Sequence, residues 1–100
     1  MTRPSKLGER ELAESIAKLP RWSVEGSKLH REYRFASFSE AFGFMAAVAL
    51  VAERMDHHPE WFNVYSTVRV HLATHDAGGI TALDFTLAER MEALAARFGQ

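Results

Sequence analysis

Two pairs of strand-like segments in this chain are joined by connections so short that each pair must run antiparallel. Residues 21–25 and 28–36 alternate apolar and polar side chains and flank Gly26-Ser27, a two-residue connection led by glycine that is typical of a type II′ hairpin turn. Residues 61–65 and 68–74 are rich in aromatic and β-branched side chains, which favour strands. Because a parallel pair needs a crossover of about a dozen residues, the pattern predicts an antiparallel sheet.

The second pair leaves one alternative open. Its connection, Ser66-Thr67, contains none of the residues that favour a tight hairpin turn. The two segments are therefore either two strands or one bent strand with a bulge. In the first pair, Arg31 interrupts an apolar stripe that otherwise includes Leu29, Tyr33 and Phe35.

Three segments with helical apolar spacing alternate with these strand pairs. Residues 8–18 carry one narrow apolar stripe, and residues 82–98 carry a fuller stripe that follows the capping signature Thr81-x-x-Asp84. The order helix, two strands, helix, one or two strands, helix predicts an α+β fold with an antiparallel sheet and helices on one face. A chain of 100 residues is expected to form a single domain, residues 1–100.

The middle helix is predicted to begin after Ser37, with Glu40 completing a capping box, and to run to about Met55. It is apolar on nearly all sides, because two stripes run along it: Phe42, Met45, Ala46 and Ala49, and Phe44, Val48, Val51 and Met55. Such a helix must be covered on two sides. One cover is the sheet, and the other is either a neighbouring helix of the same chain or another subunit.

Composition excludes several classes of function. The chain has no cysteine, which excludes disulfides, thiolate nucleophiles and thiolate zinc sites. Its formal net charge is −1 and its lysines and arginines are scattered, which argues against a nucleic-acid-binding face. The longest near-apolar run, residues 41–52, is too short to cross a bilayer. The N-terminus (residues 1–5) lacks the apolar core of a signal peptide, so we expect a cytoplasmic protein with no membrane partner.

Three of the five histidines stand where loops begin. His57 and His58 follow the middle helix, and His75 follows a strand. Loops on a rigid scaffold concentrate binding and catalytic groups, and imidazole exchanges protons near neutral pH. A metal site is the alternative, but adjacent histidines rarely point at one centre, so we predict acid–base chemistry and no metal. His30 and His71, at outward strand positions, are assigned no role.

Carboxylates and aromatic rings surround these histidines. Glu53 lies one helical turn before His57, where it either orients an imidazole or forms a solvated surface pair. Trp61 and Tyr65 either form a flat wall for a planar ring or belong to the core. Asp84 is the third residue of the last helix, where the helix dipole stabilises a carboxylate whether or not it has another role.

These residues resemble the signature of the pterin-4a-carbinolamine dehydratases. That signature is an acidic or polar residue, His-His-Pro after three residues, an aromatic after five more, a histidine after nine more, and then an aspartate. The corresponding residues here are Glu53, His57-His58-Pro59, Tyr65, His75 and Asp84, with every spacing met. Segments 41–45, 59–65 and 74–79 are also similar to the family, and the resemblance extends from about Leu12 onward.

The resemblance implies a four-stranded antiparallel sheet with three helices on one face, in the order α-β-β-α-β-β-α. It implies dehydration of a 4a-hydroxytetrahydropterin to the quinonoid dihydropterin, which recycles the cofactor of aromatic amino-acid hydroxylases and itself needs no metal or organic cofactor. His57 and His75 are then the expected acid–base pair, and His58 the substrate-orienting residue. The residues expected to contact the pterin or support the site are Glu53, Pro59, Trp61, Thr74, Asp76 and Asp84.

The family also implies partners. Its members assemble as dimers or tetramers through strand edges and helices, so we expect a homodimer or homotetramer. Some animal members bind a homeodomain transcription factor, which makes a non-enzymatic interaction module on the same fold the alternative function. Many animal members carry a basic residue just before the aspartate, where this chain has Leu83, so a contact from that position is not carried over.

Overall fold

Residues 4–100, the part of the chain that the computed structural model describes, form three helices and four strands in the predicted order. The elements are α1 (Glu9–Ile16), β1 (Ser23–Glu25), β2 (Lys28–Arg34), α2 (Phe38–Met55), β3 (Glu60–Val64), β4 (Thr67–Leu72) and α3 (Ala82–Ala96), with a 3-10 turn at His75–Ala77. The α+β class is confirmed. Residues 1–3, which belong to the predicted domain and to the N-terminal segment considered above, lie outside the described residues.

The four strands form one sheet in the order β1-β2-β4-β3, with every neighbouring pair antiparallel. Gly26 has a φ of 63° in the first hairpin, as the predicted turn requires. The second pair is two strands, but its connection is Tyr65-Ser66, because Thr67 already pairs with Val64. Tyr65 takes the left-handed conformation with a φ of 51°, which is unusual for a residue other than glycine.

The side chain of Asn63 explains how a turn without glycine forms at that position. Its amide donates to the carbonyl oxygens of Tyr65 and Thr67, at 3.1 Å and 2.9 Å. These two bonds span the turn and hold it closed, a role that asparagine side chains often take in turns.

Inward side chains of β2 and β4 pack against the helices to form the core. The fully buried members include Leu29, Tyr33, Val68 and Val70. Arg31 interrupts the apolar stripe of β2 in residue type but not in orientation, because its side chain faces inward like those of Leu29 and Tyr33. Its guanidinium carbon lies 4.0 Å from the centre of the Tyr33 ring, and its Nε lies 3.3 Å from a carboxylate oxygen of Glu92 on α3. A buried cation is tolerated here because it is paired.

Only one of the two apolar stripes of α2 is covered within the chain. Ala41, Phe44, Val48 and Ala52 are buried against the sheet and α3, whereas Phe42 and Leu50 are 56% and 71% exposed. The alternative in which a neighbouring helix of the same chain covers the second side is therefore wrong for residues 4–100. Among those residues, no helix is long and apolar enough to cross a membrane.

Candidate active site

The two adjacent histidines that follow α2 differ sharply in their exposure to solvent. Asp56 ends the helix in the left-handed conformation, with a φ of 51°, and the His57 N–H donates to the Ala52 carbonyl at 3.0 Å. A left-handed residue at a helix end reverses the chain direction sharply. As a result, the His57 side chain is 4% exposed while that of His58 is 56% exposed.

A buried carboxylate holds His57. Asp84 is fully buried, and its Oδ1 lies 2.6 Å from His57 Nε2. Its Oδ2 accepts from the Thr81 N–H and from the Thr74 hydroxyl, both at 2.9 Å. The Thr74 and Thr81 hydroxyl oxygens are 2.7 Å apart. Since the Thr74 hydrogen is already donated to Asp84, Thr81 must donate to Thr74.

This network sets the tautomer of His57. An ionised carboxylate only accepts hydrogen bonds, so the proton at the contact belongs to His57 Nε2. In the neutral ring Nδ1 is then an acceptor. The predicted capping box of Thr81 and Asp84 is confirmed, but the cap alone gives no sign that the same carboxylate also binds His57. Only the spacing of the family signature singled it out.

Glu53 contacts His58 and not His57. Its Oε1 lies 2.8 Å from His58 Nε2, and both side chains are exposed. The helical spacing suggested His57, but the left-handed turn at Asp56 carries that residue inward, out of reach. An exposed pair of this kind contributes roughly 0–1 kcal/mol.

His75 projects from the 3-10 turn beside β3. Its side chain is 81% exposed, and its Nε2 lies 3.4 Å from Oε2 of Glu60. The other Glu60 oxygen accepts from Lys28 Nζ at 2.6 Å, and this hydrogen bond lowers the pKa of Glu60 below its usual range. The strand before this loop, β4, ends at Leu72 and not at Thr74 as predicted. Thr74 instead forms an isolated bridge with Gly79, which closes the loop that carries His75. Sequence reasoning missed Glu60, although its alternation in β3 places it on the outer face.

The three histidines border one cavity of about 350 Å³, a size that suits a small heterocyclic ligand. Its lining is Asp56, His57, His58, Pro59, Ala73, His75 and Asp76. Of the other predicted site residues, Thr74 and Asp84 are buried and bonded to one another, and Asp84 is bonded to His57.

The remaining predicted residues lie outside this lining. Trp61 borders a neighbouring cavity of about 270 Å³ on the sheet, with Phe62, Arg69 and His71. Tyr65 is exposed in the hairpin turn. The structure therefore does not place Trp61 and Tyr65 as walls of the histidine-lined cavity.

Comparison with known proteins decides the family. Residues 5–94 match the sequence model of a family described as "Pterin 4 alpha carbinolamine dehydratase". The chain belongs to this family. A protein of Solibacter usitatus (strain Ellin6076) is 56% identical over 92 residues, which cover 92% of this chain and 97% of the relative. A protein of Chelativorans sp. (strain BNC1) is 50% identical over 94 residues, covering 92% and 96%. Both are named pterin-4-alpha-carbinolamine dehydratase with a provisional qualifier.

Two solved structures share the fold of this dehydratase-family chain. A transcriptional coactivator/pterin dehydratase from Brucella melitensis has a TM-score of 0.88 and 48% identity, covering 91% of this chain and 99% of the other. A pterin dehydratase-like protein described as a RuBisCO assembly factor of the alpha-carboxysome has a TM-score of 0.62 and 24% identity, covering 75% and 87%. The second likeness shows the fold alone.

Proposed function

We propose that this chain removes water from a 4a-hydroxytetrahydropterin and so recycles the pterin cofactor of aromatic amino-acid hydroxylases. The observation that carries the proposal is the cavity bordered by His57, His58 and His75 in a chain of the dehydratase family. The residues around the cavity supply imidazoles and a buried carboxylate, which are groups suited to proton transfer. The predicted cytoplasmic location stays a prediction.

The reaction needs one acid and one base. The acid protonates the 4a-hydroxyl, the carbon–oxygen bond breaks, and water leaves. The base removes the proton from the adjacent ring nitrogen, and the electron pair of that N–H bond forms the new carbon–nitrogen double bond. Protons balance, because one is delivered to the leaving oxygen and one is taken from nitrogen, so two histidines can complete a turnover.

We assign the acid–base pair to His57 and His75 and the orienting role to His58. His57 is held in one tautomer by Asp84, which suits a residue that must present the same nitrogen in every cycle. His75 is exposed at the rim, where solvent can exchange its proton between turnovers, and a carboxylate oxygen of Glu60 lies 3.4 Å from its Nε2. His58 also lines the cavity, and its Nε2 is paired with Glu53.

The test is a dehydratase assay in which a hydroxylase generates the substrate in place. His75→Ala is expected to lower the catalysed rate about 10²- to 10⁴-fold, the range of a lost acid–base group. Because His75 is exposed, the variant keeps the fold, which circular dichroism verifies. His30→Gln is the matched control, since that histidine does not line the cavity. A His75→Ala variant with the wild-type rate above the uncatalysed background contradicts the proposal.

A second function is favoured by the uncovered face of α2. Phe38, Phe42 and Leu50 are large apolar side chains left exposed on one helix, and exposed apolar patches mark interaction surfaces. We propose that this face associates with a second copy of the chain. The non-enzymatic alternative, an interaction module, uses the same face on another protein. It predicts that α2 variants abolish function and that His75→Ala does not.

A further inference from the structure

A second cluster of histidine and carboxylate groups lies on the outer face of the sheet. His30 on β2 and His71 on β4 alternate with the buried residues of their strands and so point away from the helices, and the Glu25 carboxylate on β1 lies beside both of them. His30 and His71 are directly opposed in the β2–β4 register. Ser23 opposes His30 in the β1–β2 register, and Glu25 follows two residues later on the same face. None of the three lines the histidine cavity.

The three side chains are close enough to share one ion. One ligand atom from each lies within 4.8 Å of the others. His71 Nε2 is 2.7 Å from Glu25 Oε1, and His30 Nε2 is 4.0 Å from Glu25 Oε2. Within residues 4–100, no other group of three histidine or acidic side chains meets this spacing. The cavity histidines in particular do not.

The backbone fixes the tautomer of His30 in a way that favours metal binding. His30 Nδ1 lies 3.0 Å from the Val70 carbonyl oxygen. A carbonyl only accepts, so Nδ1 carries the hydrogen, and Nε2 of the neutral ring carries a lone pair on the Glu25 side. A histidine that binds a metal through one nitrogen commonly donates from the other to a backbone carbonyl or a carboxylate. His30 has this arrangement before any ion is bound.

We propose that Glu25, His30 and His71 bind a divalent transition-metal ion of the zinc class. The ligands are Nε2 of each histidine and the carboxylate of Glu25, with water completing the coordination. Without the ion, His71 Nε2 donates its hydrogen to Glu25, so binding requires that hydrogen to move to Nδ1 of His71. Two imidazoles and one carboxylate form a known zinc ligand set. The rings stack at 4.4 Å with a 27° tilt, so binding must turn them until both planes contain the ion. The His71 side chain is the more exposed of the two, at 31% against 22%, and His30 keeps its bond to Val70, so we assign the turn mainly to His71.

Such an ion would stabilise the weakest strand of the sheet. β1 has only three residues, all exposed, and it lies at an edge where it pairs with β2 alone. Bound through Glu25, the ion ties β1 to β2 and also to β4, which is not a neighbour of β1 in the sheet. An ion that binds only the folded state raises its stability in proportion to the logarithm of free ion concentration. The proposed role is therefore structural and does not depend on the dehydratase reaction.

The experiment is calorimetric titration of Zn²⁺ into chelator-treated protein. We expect one ion per chain in wild type and affinity at least about 10-fold lower in Glu25→Gln and in His71→Ala, since even changes to groups that only support a ligand cost about 10- to 100-fold. Nitrogen chemical shifts of the imidazole rings should move at Nε2 of His30 and His71, with the proton of His30 Nδ1 retained. Zinc should also raise the melting temperature of wild type and leave that of Glu25→Gln unchanged.

Two matched variants make the assignment specific. His58→Ala removes an exposed histidine of the cavity. Glu32→Gln changes a carboxylate on β2 that, unlike Glu25, pairs with arginines and not with histidines. Both are expected to bind Zn²⁺ as wild type does. The proposal is overturned if wild type takes up no stoichiometric Zn²⁺, if Glu25→Gln and His71→Ala bind as tightly as wild type, or if His58→Ala abolishes uptake. Glu25→Gln keeps the size of an exposed side chain, so loss of fold cannot confound the result.

Discussion

Asp84→Asn tests the way the buried network controls His57. The change keeps the shape of the side chain but replaces one acceptor oxygen with an amide donor. The asparagine oxygen must stay beside the Thr81 N–H, because a backbone amide can only donate. The new amide nitrogen then faces His57 Nε2, which has to become an acceptor. The hydrogen of the His57 ring must move to Nδ1, which inverts the tautomer.

The expected losses of stability and rate follow from the hydrogen bond between Asp84 and His57 that the variant removes. Asp84 makes a charge-assisted bond to His57 in a fully buried position, and such bonds contribute about 1.5–3 kcal/mol. Total stabilities are about 5–15 kcal/mol, so the variant should remain folded. In serine proteases, the same substitution behind a catalytic histidine lowers kcat about 10⁴-fold. We expect a loss of about 10²- to 10⁴-fold in the dehydration rate.

Three measurements on Asp84→Asn distinguish its effects on stability, on the His57 tautomer and on the reaction rate. Urea unfolding gives the free energy, imidazole nitrogen shifts give the tautomer of His57, and the hydroxylase-coupled assay gives the rate. Glu53→Gln is the control, because it makes the same chemical change beside His58 in an exposed pair and should alter the free energy by no more than about 1 kcal/mol. Full activity in Asp84→Asn together with a proton still on Nε2 would refute the assigned tautomer and its role.

Three further outcomes are expected elsewhere in the chain. Tyr65→Gly should raise the free energy of unfolding in urea by up to about 1 kcal/mol. Relief of the strain at the observed φ of 51°, about 1–2 kcal/mol, exceeds the entropic cost of glycine in the unfolded chain, about 0.4–1 kcal/mol. A lower free energy of unfolding than in wild type would contradict this expectation. Burial and the hydrogen bond to Glu92 raise the pKa of Tyr33 well above its ordinary value of 10.0. The folded state therefore keeps the proton that the unfolded state loses, and stability should fall by up to about 1.4 kcal/mol per pH unit above about pH 10. Tyr33→Phe should abolish that alkaline slope in urea titrations, and an unchanged slope would exclude Tyr33 as its source. Phe42→Glu should reduce the assembly to monomer mass in light scattering, whereas Phe62→Glu on β3 should not; a monomeric wild type would contradict the role of α2.

The fold was largely predictable because its local signals agree with one another. Gly26 supplies the conformation that the first hairpin needs, and the position of that turn was predicted correctly. The second turn was misplaced by one residue because Asn63 does through side-chain bonds what glycine does through its backbone. Arg31 breaks the apolar pattern but keeps the inward alternation, since its partner Glu92 comes 61 residues later and no local pattern reveals it.

The site was less predictable, because its geometry depends on contacts between distant elements. Helical spacing predicted a contact between Glu53 and His57. Because Asp56 takes the left-handed conformation, His57 is buried, and Glu53 contacts His58. The local sequence pattern predicted Asp84 only as a capping residue of the last helix. Its contact with His57 spans 27 residues, and only the spacing of the signature pointed to it.

A single carboxylate both begins α3 and positions His57, so the site and the scaffold cannot vary independently at this point. Asp84 joins the start of α3 to the end of α2 through His57, and to the chain after β4 through Thr74. We therefore expect changes at Asp84 to alter both the stability and the proposed dehydratase activity. His58 and His75 are exposed, so their replacement should lower the rate and leave the melting temperature nearly unchanged. If His75→Ala destabilised the fold as much as Asp84→Asn, the division between a buried positioning carboxylate and an exposed acid–base histidine would be wrong.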